Sequence, residues 1–420
     1  MLSRRALLAF GSALALAPRR ARAADTDNRK FLFVFAAGGW DPAYVFAPGL
    51  DPSVVDVDLD GETAIASGIP FVDNAARPSV RTFFERYGGS SSVVNGLEVR
   101  SLTHERCRQL ILCGSDEGAV EDWPTVIASA RADLLLPHLV LTGPAFAAAN
   151  AASVVRLGAN DQLAQLLSGT YADKATPPLA TLSAGSSGRA SAFARGRAEA
   201  WAAAQRTGQA GTWGADLLAA YERLDLCRDI AGDIATEGAG GGLLIPMPDR
   251  VQAALRCFSA GYSRCAMVEH RGLYERGWDT HTDIGGQGAN FELLFSDLLS
   301  VLDDMAATAG TDGGSLLEET TVVVFSEMGR TPRMNSGGGK DHWTFTSALL
   351  IGAGIRGGQV VGGYEGGLVG RPVDLATGAV SDAGTALVPE HLGATLSLLA
   401  GIEPDVTGGA EPILALIADA

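Results

Sequence analysis

Short, continuously apolar runs recur along this chain, separated by stretches in which apolar residues return every three or four positions. The runs occupy residues 31–36, 92–96, 139–142, 265–269, 321–325 and 349–352. Runs of this length with few polar interruptions predict strands buried on both faces. Between them, Phe291, Leu294, Leu298, Val301 and Met305 fall at helical spacing, with Asp297, Asp303 and Asp304 interleaved. That pattern predicts an amphipathic helix. Residues 389–400 predict another, opened by Pro389 and stopped by Gly401. Strands alternating with helices predict an α/β fold, a mostly parallel sheet sandwiched between helices.

Residues 145–260 break this rhythm. They are rich in alanine, carry Trp201, Trp213 and Tyr221, and show few strand signals. We read them as a helical insertion packed on one domain spanning residues 24–420, with a helix break at Gly238-Ala-Gly-Gly-Gly242. Residues 352–370 are glycine-rich and read as irregular.

The first 23 residues predict an export signal. Ser3-Arg-Arg-Ala-Leu-Leu8 resembles a twin-arginine motif, a short apolar stretch follows, and Ala21-Arg-Ala23 offers a small-x-small cleavage site. An ordinary secretory signal is the alternative. The apolar stretch is too short to span a bilayer comfortably, so no stable membrane anchor is expected after cleavage. The expected partner is the twin-arginine export machinery, and the expected location is periplasmic or secreted. Cleavage would remove five arginines and take the formal net charge from −16 to −21. So acidic a surface repels phosphate backbones and argues against nucleic acid as a partner. The five cysteines, Cys107, Cys113, Cys227, Cys257 and Cys265, have neither zinc-ribbon nor redox-motif spacing and read as small buried hydrophobes.

The chemistry gathers behind three of the strand-like runs. The run ending at Phe325 leads into Ser326, Glu327 and a loop with Arg330, Arg333, Lys340, Asp341 and His342. The run ending at Ala36 leads into Gly38-Gly-Trp-Asp41, and a third cluster reads Gly277-Trp-Asp-Thr-His281. Carboxyl ends of parallel strands are where open α/β sheets place their sites. Asp279 and His281, two apart, can reach one ion from an extended backbone, and an oxygen with an imidazole suits zinc, manganese or iron. The plainer reading of that pair is a hydrogen-bonded loop, and that of Asp41 a turn aspartate before proline. Thr103 reads as a helix N-cap, where a hydroxyl also sits in a positive field. His104 beside it reads as a ligand, a donor or a surface residue. Arg330, Arg333 and Lys340 offer groups for phosphate or sulfate oxygens, unless local carboxylates take them.

Four stretches carry a family resemblance: Phe35-Ala-Ala-Gly-Gly-Trp-Asp41, Trp278-Asp-Thr-His281, Val324-Phe-Ser-Glu-Met-Gly-Arg-Thr-Pro332 and Gly339-Lys-Asp-His-Trp343. Together with the glycine-rich turn at 357–363, they resemble an exported bacterial family, domain of unknown function 1501, of the alkaline phosphatase-like superfamily. The resemblance implies metals at the carboxyl edge of the sheet. Asp41, Thr103 and Glu327 would form one group, and Asp279, His281 and His342 the other. The superfamily's usual Asp-His stands here as Glu327-Met328, and thioether sulfur is a poor ligand for a hard ion. One ion or two are therefore both open.

The expectation that follows is an exported metal-dependent hydrolase of a phosphate or sulfate ester, using zinc or manganese on a small-molecule or polymer substrate. Thr103 would attack, while Arg330 and Lys340 would steady charge on the equatorial oxygens. The alternative is a non-catalytic ligand- or polymer-binding protein on the same fold, or a metal kept for structural support.

Overall fold

Period-two alternation sorts each apolar run into two cores. In Lys30–Ala36 (β1), Leu32, Val34 and Ala36 face one side, while Phe31, Phe33 and Phe35 face the other. The computed structural model describes residues 28–158, 162–168, 182–204, 208–235, 245–273, 277–403 and 409–418. Within these, β1 joins Ser91–Glu98 (β2), His138–Val140 (β3), Val154–Arg156 (β4), Cys265–His270 (β5), Thr320–Phe325 (β6), Phe345–Gly352 (β7) and Gln359–Gly362 (β8) in one eight-stranded sheet. Its order is β8-β2-β7-β6-β1-β5-β3-β4. The pairings of β1 with β5 and β6, of β3 with β4 and β5, and of β8 with β2 are parallel. β7 runs antiparallel to both of its neighbours, β2 and β6. The sheet is thus mostly parallel, as the run pattern predicts.

Helices cover both faces. They are Pro78–Tyr87 (α1), His104–Cys113 (α2), Trp123–Ser129 (α3), Gln162–Ser168 (α4), Ala184–Ala204 (α5), Gly208–Asp229 (α6), Met247–Ser259 (α7), Gly285–Ala307 (α8), Leu316–Glu319 (α9) and Pro389–Leu399 (α10). On one face α1, α7 and α8 bury Phe83, Phe84, Val251, Phe258, Phe291, Leu294, Leu298, Val301 and Met305 against β1 and β6. On the other, α2, α3 and α10 bury Leu110, Ile111, Trp123, Ile127, Leu392 and Leu396. Each such side chain contributes about 1.5–3 kcal/mol by leaving water, so the layers hold the sheet edge stiffly.

Three features depart from the sequence reading. Val154–Arg156, inside the stretch read as helical, forms the edge strand β4. Val360 and Val361, in the tail read as irregular, pair with Val93 and Val94. A small antiparallel hairpin, Glu62–Ala66 with Ile69–Asp73, covers part of the first face. The export signal and the glycine break at 238–242 lie outside the described residues. All five cysteines are buried and unpaired. Among the described residues, no helix is long and apolar enough to cross a membrane.

The topology fixes one rim. β1, β5 and β6 end there and release the Gly38–Asp41 turn, the loop to Asp279 and Ser326-Glu327. β2 ends on the same side and leads to Thr103 and α2. Because β7 is reversed, the residues preceding it, His342 and Trp343, also arrive at that rim.

Candidate metal centre

The floor of the rim is a backbone turn held from inside. Gly38 N donates to both oxygens of Glu327, at 2.9 and 3.0 Å. Gly39 N and Trp40 N donate to Ser326 Oγ at 3.1 and 3.2 Å. A side chain at Gly38 is excluded twice over. Its φ is +133°, and a Cβ there would stand 2.7 Å from Asp279 N. Gly339 is equally constrained, since a Cβ would meet the His281 carbonyl carbon at 2.1 Å. These approaches press the Asp279–His281 loop against the β1 turn on one side and the His342 loop on the other.

Two cations expected to face a substrate are turned inward. Arg330 is fully buried. Its guanidinium donates to Gly39 O at 2.8 Å, Lys340 O at 3.1 Å, Trp278 O at 3.1 Å, Asp279 Oδ1 at 2.9 Å, and Gly38 O. Lys340 Nζ donates to Asp41 Oδ2 at 2.6 Å, and both side chains are buried. The other Asp41 oxygen caps the turn Pro42–Tyr44 by accepting from Ala43 N at 3.0 Å. The residues are therefore at the expected rim but as its internal scaffold. Asp41 is committed to an ammonium and a turn, and Arg330 ties three segments together.

Glu327 is also placed differently from a ligand. It is buried, and besides Gly38 N it accepts from His104 Nδ1 at 2.9 Å and Ser326 Oγ at 3.2 Å. Burial alone would raise its carboxyl, but the His104 ring and the Gly38 amide hold it below the ordinary value. Met328 lies in the second core among apolar side chains.

The ligand-type atoms converge above this floor on Asp279. His104, Asp279 and His342 offer atoms within 4.8 Å of one another, a group that could hold a metal ion. His104 Nε2 stands 3.5 Å from Asp279 Oδ2, and His342 Nε2 3.7 Å from Asp279 Oδ1. His281 joins them, its Nε2 being 3.2 Å from Asp279 Oδ1 and 2.9 Å from His342 Nε2. Each imidazole is oriented from behind. His104 Nδ1 faces Glu327, His281 Nδ1 lies 3.2 Å from Asp341 Oδ1, and His342 Nδ1 lies 2.6 Å from the Leu102 carbonyl. With Nδ1 engaged by these acceptors, each ring turns its Nε2 toward Asp279.

That arrangement passes a test for a cation. The Nε2 atoms of His281 and His342 face each other at 2.9 Å, so either a ring proton or a bound cation lies between them. Zinc with bonds near 2.0–2.1 Å in a tetrahedron has ligand-to-ligand edges of about 3.3 Å. The triangle of Asp279 Oδ1, His281 Nε2 and His342 Nε2 has edges of 2.9, 3.2 and 3.7 Å. Outer acceptors fixing the far ring nitrogen are the usual support of a metal-bound histidine. Burial works to raise the Asp279 carboxyl, but His104, His342 and Arg330 hold it well below the usual carboxylate range. The Asp279 and Glu327 carboxylates on either side push His104 up to about 9.

Thr103 occupies the N-cap position of α2 in extended conformation, exposed, with no side-chain bond to the helix. The expected N-cap position is therefore filled, and its hydroxyl is left without a capping partner. His104, open in the sequence reading between ligand, donor and surface residue, is a member of the group, and two contributors have no assigned role there: Asp341 as the acceptor behind His281, and Arg108, one helical turn beyond His104. The spacing of His104 and Arg108, four apart at a helix start, is the signal that could have paired them.

Residues 250–404 match a family described as "Protein of unknown function (DUF1501)". The matched stretch is less than half of the chain and includes Asp279, His281, Glu327 and His342. Among curated proteins, none matches. Among solved structures, the crystal structure of Ps i-CgsB in complex with k-i-k-neocarrahexaose aligns with 92% of this chain and 75% of that chain, at 9% sequence identity and a TM-score of 0.39.

Proposed function

We propose that this protein is an exported, metal-dependent hydrolase of phosphate or sulfate esters on an alkaline phosphatase-like fold. The observation that carries the reading is the convergence of three back-braced imidazoles on Asp279 at the carboxyl rim of the sheet. Asp279, His342 and His104, with His281 beside them, would hold one ion, zinc or manganese by donor type. Bound there, the ion would supply Lewis-acid polarisation of an ester oxygen. Thr103, adjacent to His104 at the start of α2, is the hydroxyl we assign to attack. Its oxygen would bond to phosphorus or sulfur as the bond to the ester oxygen breaks. The alcohol departs with a proton, and water then hydrolyses the threonyl ester. Glu327 and Asp341 keep the ring nitrogens aimed. The proposal extends to a single domain over residues 24–420 with its helical insertion, exported through the twin-arginine machinery to the periplasm or beyond.

A second reading is a metal-containing protein that binds an anionic polymer without turnover. The commitment of Asp41 to Lys340 favours it, because the other half of a two-ion site is then closed. Purified protein, reconstituted with zinc or manganese and assayed on aryl phosphates and aryl sulfates, tests the first reading. Turnover that falls at least a hundredfold in Thr103→Ala with metal content unchanged supports it. A protein that takes up neither metal and stays inert defeats it, while metal uptake without turnover favours the binder.

A further inference from the structure

With Arg330 and Lys340 committed to internal partners, an incoming anion needs another cation. The guanidiniums around the rim are mostly engaged: Arg100 with Glu390, Arg106 with Asp116, Arg333 with Asp56. Arg108 differs from them. Its Nε is buried and has no hydrogen-bond partner among the described residues. Its nearest carboxylate oxygen, Glu327 Oε1, stands at 3.7 Å, beyond hydrogen-bond reach. That oxygen already accepts from Gly38 N and His104 Nδ1, both at 2.9 Å. Glu327 therefore attracts Arg108 electrostatically without occupying its donors. The side chain is 37% exposed although its Nε is buried, leaving the outer part to solvent.

We infer that Arg108 is the anion-binding residue of this site, its fork receiving two oxygens of a tetrahedral phosphate or sulfate group next to the His104–Asp279–His342 group. Helical geometry supports the placement. His104 and Arg108 lie four residues apart on α2, so both side chains leave the same face, and both approach Glu327 Oε1. A planar guanidinium with unused parallel donors matches an oxyanion bidentately, which an ammonium does not. Low competition from Glu327 leaves those donors available, and its charge holds the arm in place before a ligand arrives. The inference rests on the hydrolase reading for its substrate class but makes a separate claim about binding.

The test uses the full chain, wild type and with Arg108→Ala or Arg108→Lys, each incubated with zinc and analysed for bound metal. Inorganic phosphate and inorganic sulfate are titrated separately by calorimetry, with and without zinc. The expected result is at least about a tenfold loss of affinity for the preferred anion in Arg108→Ala, with partial recovery in Arg108→Lys. Zinc content should not change. Added guanidinium ion should restore part of the loss in Arg108→Ala, which a purely structural arginine would not show. Equal affinities in wild type and Arg108→Ala overturn the inference. So does a zinc-loaded wild type that binds neither anion, which leaves the metal reading standing. Conversely, Arg108-dependent anion binding by a protein that takes up no zinc upholds the inference and rules out zinc as the ion of this site.

Discussion

His281 Nε2 and His342 Nε2 face each other at 2.9 Å, and each ring is fixed behind, by Asp341 and by the Leu102 carbonyl. Neither ring relieves the contact by turning without giving up that bond. A ring proton or a shared cation between them satisfies both, and the metal reading takes the second. We expect His342→Ala to abolish stoichiometric metal uptake and His281→Ala to weaken it strongly, as read by metal analysis after dialysis. Ligand binding to the folded state adds stability, about 2.7 kcal/mol when free metal is a hundred times the Kd. Chelator should therefore lower the melting temperature of the wild type and leave that of His342→Ala unmoved. Equal melting curves for wild type with and without chelator would count against a metal at this place.

Glu327 acts on the group through His104. Its two oxygens take Gly38 N, Ser326 Oγ and His104 Nδ1, all inside the protein. Glu327→Gln keeps the shape but replaces one acceptor oxygen with an amide donor, which must oppose either the Gly38 amide or the ring proton. Groups that orient metal-bound histidines typically change affinity by about tenfold to a hundredfold when removed. We expect a loss of metal affinity in that range, with stability lower by about 1–3 kcal/mol for the buried donor left unmatched. An affinity equal to wild type would show that His104 needs no orientation by this carboxylate.

Much of this architecture is legible from the residues. The six apolar runs become strands of one sheet, and the spacing of Phe291, Leu294, Leu298, Val301 and Met305 becomes the buried stripe of α8. The rim follows from strand ends, so Asp279, His281 and His342 can be read as neighbours although sixty residues separate the last two. Direction is not legible. Nothing in Phe345–Gly352 announces that β7 runs opposite to β6, and that reversal is what delivers His342 to the rim. Short edge strands escape as well, because three or four residues such as Val154–Arg156 carry too little periodicity. Nor does sequence say which way a charge points. Arg330 and Lys340 look like substrate contacts in a glycine-rich loop, but burial turns them onto carbonyls and Asp41.

Lys340 and Asp41 illustrate what that inward turn implies for stability. The pair is buried at 2.6 Å, and Asp41 retains Ala43 N as its other partner. Removing one member of such a pair leaves the other charge uncompensated, at a typical cost of about 3–5 kcal/mol. Lys340→Met should lower the urea midpoint accordingly. Lys340→Met combined with Asp41→Asn should recover part of the loss, since no lone charge then remains. A double variant no more stable than Lys340→Met would mean that the ammonium is held by more than Asp41.

The far end of the sheet carries a pH-sensitive clasp. Glu319, at the end of α9, accepts from Lys30 Nζ at 2.6 Å, from Thr311 N at 2.9 Å and from Asp312 N at 2.7 Å. Burial opposes the charged carboxylate, but Lys30 and the two amides outweigh it and bring the carboxyl from 4.5 down to about 2. A carboxyl lowered on folding stabilises the native state when ionised. That contribution is full above the unfolded value of 4.5 and is lost as pH falls toward 2. The shift corresponds to about 3 kcal/mol. Unfolding free energy measured from pH 6 down to pH 2 should therefore decline, and Glu319→Gln should be less stable at pH 6 and decline less steeply. Parallel curves for the two proteins would show that Glu319 titrates alike in the folded and unfolded chain.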